Sequence, residues 1–137
     1  MTTAAVSPPA RPALRLPVLI ALGAALWFLA AMMIRFLGPS VFVQGSAALP
    51  LVFVLSLPVA WAFLWVGLTL SGARGAATLP AVVVMSFTAM LLDGLALTFF
   101  PALYGLPPAS LLLAAAWLLW GVALTQIIAF VWPRRAD

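Results

Sequence analysis

Prolines cut this chain into four apolar stretches of roughly 20 residues each, and few residues are left over. The stretches run from about 18 to 37, ending at Gly38-Pro39; 50 to 70, ending at Ser71-Gly72; 79 to 100, ending at Pro101; and 109 to 132, ending at Pro133. At about 1.5 Å per residue, a helix of that length matches a hydrocarbon core of about 30 Å. Backbone N–H and C=O groups in lipid must be satisfied within the segment, so such runs are helices. Period-two alternation is missing, which excludes strands. Pro50, Pro80 and Pro108 fall at or near helix starts, where a missing N–H costs little.

Composition agrees. Of 137 residues, 67% are hydrophobic and 6% are charged, whereas a soluble domain carries about 25% charged residues. The sequence predicts an all-α membrane protein, an antiparallel four-transmembrane-helix bundle, because connections of a dozen residues or fewer make sequential helices antiparallel. Residues 1–17, rich in proline and small residues, are expected to form a disordered cytoplasmic arm. Residues 133–137 are expected to form a cytoplasmic tail. The first apolar stretch is too long for a signal-peptide core and lacks a clear cleavage site, so it reads as an uncleaved helix.

Arginine placement gives an expected orientation. Arg11 and Arg15 precede helix 1, Arg74 lies between helices 2 and 3, and Arg134 and Arg135 follow helix 4. Arg35 alone falls on the other side. Five against one predicts that both termini are cytoplasmic. The bias to Ala, Arg and Pro without Lys points to a GC-rich bacterial genome, hence a bacterial cytoplasmic membrane. The net charge of +4 is scattered and not gathered on a basic face, so no nucleic-acid partner is expected. The expected partners are the lipid bilayer and either a second copy or a membrane partner protein.

The chain has no Cys and no His. That removes thiolate and Ser-His-Asp chemistry and the usual zinc and haem ligation. No catalytic residue, metal site or cofactor is expected, and the chain reads as non-enzymatic.

Asp93 is the residue most able to carry chemistry. It lies about seven residues from the outer end of helix 3, roughly 10 Å below the membrane boundary. A carboxylate at such depth faces protein or water and marks a candidate functional site. Arg35, near the outer end of helix 1, is its expected partner in an intramembrane ion pair, because helical side chains lean toward the N-terminus. Such a pair fixes helix register, or it serves a substrate or proton site. Otherwise Arg35 snorkels to headgroups while Asp93 is uncharged. Trp27, Trp61 and Trp117 fall just deeper than Asp93 and predict an aromatic layer, one that holds a hydrophobic cation or merely fills volume. Pro58 frees the Val54 carbonyl as an acceptor for a buried indole. Ser86, seven residues before Asp93 on the same face, extends a polar track inward. Gln126 is expected to bond a neighbouring helix. The small-residue pairs Gly67/Ser71, Gly94/Thr98 and Gly121/Thr125 allow close helix contact.

Trp27, Ile34-Arg35-Phe36-Leu37-Gly38, and the run from Leu92-Asp93-Gly94 to Phe100-Pro101 followed by Tyr104-Gly105 together resemble a group of small bacterial four-helix membrane proteins. That group is catalogued as a domain of unknown function. The resemblance implies fold and location and brings no activity. Two functions are therefore expected: a non-enzymatic assembly partner or subunit, or a small transporter or permeation unit for a proton or hydrophobic cation that uses Asp93. Small multidrug exporters differ, because their essential acid is a glutamate in the first helix and this chain has no glutamate.

Overall fold

The computed structural model describes residues 14–132. Most of the expected N-terminal arm and all of the C-terminal tail lie outside them. The described chain is helical throughout: α1 (Leu16–Val41), α2 (Ala48–Ser71), α3 (Thr78–Phe99) and α4 (Pro108–Val131), with short 3-10 turns at Gly75–Ala77 and Pro101–Leu103. Among the described residues, four helices are long and apolar enough to cross a membrane.

Local chemistry sets most of the ends. Pro17 and Pro108 sit in the first turns of α1 and α4, where no backbone donor is lost to them. Gly72 closes α2 at φ +70°, donating its N–H to the Leu68 carbonyl at 2.9 Å; a side chain would disfavour that left-handed conformation. Phe100 ends α3 ahead of Pro101, which cannot continue the ladder. Helix α1 differs from expectation, because Gly38-Pro39 does not stop it. Proline removes only its own N–H from the ladder, and the Phe42 N–H to Gly38 carbonyl bond at 2.8 Å resumes it beyond.

Large apolar side chains cover the outside. Phe36 is 75% exposed, Leu112 72% and Phe130 68%, a surface suited to lipid and not to water. Most of the buried apolar residues fall into two clusters. One gathers Leu19, Leu64, Leu68, Val82 and Met85. The other gathers Ala31, Ile34, Phe42, Ala96, Tyr104 and Trp117.

Helices α1 and α3 make the most extensive pairing in the bundle, and Gly23 allows it. A Cβ at Gly23 would come within 2.7 Å of the Met85 carbonyl oxygen and 3.0 Å of the Thr88 Cβ. The obstacle is largely backbone, so it cannot swing aside. Gly67 also lies at a contact, against Met85. Gly94 and Gly121, expected at close contacts, have nothing within 4 Å of where a Cβ would stand.

Gly23→Ala should therefore destabilise the protein by about 1–3 kcal/mol, the usual cost of overpacking, while Gly94→Ala should be neutral or slightly stabilising. Unfolding titrations of both variants in mixed micelles check this; equal effects would remove Gly23 from its role.

Candidate functional site

Asp93 lies on α3 and is partly buried. Its Oδ1 accepts two hydrogen bonds: one from the Trp27 indole N–H of α1 at 2.9 Å, and one from the Tyr104 hydroxyl at 2.6 Å. The second length is typical of a hydroxyl donating to a carboxylate. Tyr104 stands just after the Pro101–Leu103 turn and is fully buried. A buried phenol needs an acceptor, and the turn after α3 carries it back onto Asp93. Three segments thus converge on one carboxylate oxygen.

The expected Arg35–Asp93 ion pair is not formed. Arg35 Nη1 donates instead to the carbonyls of Ala102 and Leu103, each at 2.9 Å. Register explains the difference. The α1 residue that reaches Asp93 is Trp27, eight positions before Arg35, or about 12 Å along the axis. The Leu103 carbonyl also lacks a local partner, since a helical continuation would bring it the N–H of residue 107, which is proline. Gly105 at φ +65° runs beside the arginine, its would-be Cβ 3.5 Å from Arg35 Cγ.

Below Asp93 lies a partly open cavity of about 120 Å³, lined by residues of all four helices. Trp27, Phe63 and Trp117 contribute aromatic wall, and Ser56, Ser86, Asp93 and Thr125 contribute the polar atoms. The expected aromatic layer is divided. Trp27 and Trp117 line the cavity, whereas Trp61 points outward and is 49% exposed. Trp61 is on the wrong face of α2: Ala60 and Leu64 are buried there, while Trp61 and Trp65 are exposed.

Two indoles of α4 find acceptors on α2. Trp117 donates to the Val52 carbonyl at 3.4 Å, and Trp120 to the Phe53 carbonyl at 3.1 Å and to Ser56 Oγ at 3.0 Å. These carbonyls lie five and six residues before Pro58, about one and a half turns, and they take the place of the expected Val54 acceptor. Ser86 is buried and lines the cavity. Gln126 lies outside the lining and has no hydrogen-bond partner on a neighbouring helix among the described residues. Its neighbour Thr125 turns back to the Val122 carbonyl, the common fate of a hydroxyl inside a helix.

Tyr104 is the site residue that sequence reasoning missed. Its position in a short loop suits an interfacial aromatic, and only the fold back across Pro101 shows that it reaches Asp93. No protein-family model matches the chain, and no curated protein or solved structure matches it either.

Burial pushes the Tyr104 phenol well above its ordinary value of 10.0, and the hydrogen bond and charge of Asp93 act in the same direction. The folded state keeps a proton that the unfolded chain releases near pH 10, so this stability is intact below that pH and is lost as pH rises above it. Tyr104 is the only tyrosine, so tyrosinate absorbance reports it alone. In the folded protein that absorbance should develop well above pH 10, and Asp93→Asn should move the midpoint back toward 10. A wild-type midpoint near 10 would contradict the contact.

Proposed function

We propose that this protein is a small transporter or permeation unit for a lipophilic cation, with Asp93 as the group that receives the charge. The observation that carries this reading is the cavity below Asp93, lined by all four helices. Both protein donors to the carboxylate fall on Oδ1. Oδ2 is therefore left to accept from a ligand, and the rest of the wall is mostly apolar with aromatic faces. A cation bearing an N–H donor and a hydrocarbon body complements that combination. A proton alone would use the same oxygen but has no need of the apolar groove.

The assembly-subunit reading came from the absence of catalytic groups and from small-residue helix faces, and an Arg35–Asp93 pair would have given Asp93 a structural role. With Arg35 spent on the 102–103 carbonyls, the acid is available for other work, and the binding reading is favoured. The orientation proposed is the one the arginines support, with antiparallel helices, both termini cytoplasmic and the Asp93 end of the cavity toward the outer face. The membrane proposed is the bacterial cytoplasmic membrane.

The size of the site limits the ligand. Cavities of about 150 Å³ hold a benzene ring, so about 120 Å³ suits a thin or compact amine and excludes polycyclic dyes. Titration of nanodisc-embedded protein with n-hexylammonium, followed by tryptophan fluorescence, tests the proposal. Saturable binding is expected, weakened about tenfold (about 1.4 kcal/mol) by Asp93→Asn. Gly121→Leu, at a cavity position with open space around it, should abolish binding without lowering stability. Binding that is unchanged in both variants would overturn the assignment.

A further inference from the structure

Three hydroxyls stand on the cavity wall, and two of them are satisfied by the protein. Ser56 donates to the Phe53 carbonyl and accepts from Trp120. Thr125 donates to the Val122 carbonyl. Ser86 is different. It is 7% exposed, lines the cavity, and has no hydrogen-bond partner among the described residues. No buried side-chain oxygen or nitrogen in the described chain is sealed off without a partner, so the Ser86 hydroxyl opens onto the cavity.

The position of Ser86 relative to Asp93 gives the site a length. The two are seven residues apart on α3, two turns on one face, with a rise of about 10 Å. Ala89 lies between them on the same wall, and its small side chain leaves the path from one to the other clear. The groove runs further along the helices, from Asp93 to Val82 on α3 and from Trp117 to Thr125 on α4. The cavity is therefore long and narrow, with a carboxylate at one end and a free hydroxyl about two turns away.

We propose that Ser86 is a second polar anchor and that the ligand is a bipolar amine, an ammonium joined by a short alkyl chain to a hydroxyl or ether oxygen. This rests on the cation reading above and specifies the class of cation. A hydrogen bond of about 2.9 Å at each end leaves about 5 Å between the ligand's nitrogen and oxygen along the axis, roughly the N-to-O span of an extended three-carbon chain. The ammonium meets Asp93 Oδ2, the chain lies over Ala89, and the oxygen meets Ser86.

Two probes of nearly equal shape separate the possibilities: n-butylamine and 3-amino-1-propanol, which differ by a terminal methyl replaced with a hydroxyl. Their affinities are measured on full-length wild type, Ser86→Ala, Ser86→Thr and Asp93→Asn in phosphatidylcholine nanodiscs. An apolar groove alone would bind the alcohol more weakly, since its hydroxyl loses water for nothing. The expected result is that wild type binds the amino alcohol at least as tightly as the alkylamine. Ser86→Ala should weaken the alcohol about tenfold and leave the alkylamine unchanged, Ser86→Thr should restore the alcohol, and Asp93→Asn should weaken both. Alkylamine binding that depends on Asp93, with a hydroxyl penalty the same in wild type and Ser86→Ala, would overturn the second anchor and leave the cation site standing. Failure of both probes to bind in an Asp93-dependent way, as when a lipid tail fills the groove, would overturn both.

Discussion

One carboxylate oxygen holds one end of this bundle together. Inside lipid there is no water to satisfy a polar group, so Asp93 has to find its donors in the protein. It finds two, Trp27 from α1 and Tyr104 from the turn after α3, and both fall on Oδ1. Concentrating the donors on one oxygen ties α1, α3 and the following loop to a common point. It also leaves Oδ2 without a protein donor, on a residue that lines the cavity.

The loop is secured a second time by Arg35. Its guanidinium gives the Leu103 carbonyl the donor that Pro107 cannot supply and adds a second bond to the Ala102 carbonyl, and Gly105 takes the left-handed turn beside it. A charged side chain here takes over from missing backbone donors. Each charge is thus accommodated by neutral groups, and neither depends on the other. That separation makes the acid chemically available in a way an ion pair would not.

The four helices were legible because lipid enforces them. Runs of about 20 apolar residues have one solution, and proline and glycine mark their ends, Pro39 excepted, since α1 carries its ladder past it. The depth of Asp93 was legible for the same reason, being a count along one helix. Its partner was not, because partners depend on how far α1 slides along α3. That register goes with the contact of Gly23 with the Met85 carbonyl, and nothing in the apolar runs around them shows that Gly23 is packed while Gly121 is not. Rotation about each helix axis was equally hidden. Residues 60, 61, 64 and 65 of α2 are all apolar, so no polar stripe indicates that Trp61 faces outward while Trp117 of α4 faces in. Tyr104 escaped because short loops are read as interface, and only the turn at Pro101–Leu103 returns it to the core.

Double-mutant cycles on unfolding free energy test the arrangement most directly, with Asp93→Asn combined in turn with Tyr104→Phe and with Arg35→Gln. The expected coupling is about 1 kcal/mol between Asp93 and Tyr104, and about zero between Asp93 and Arg35. Strong coupling to Arg35 with none to Tyr104 would mean that the carboxylate is held by the arginine after all, and would contradict the site described.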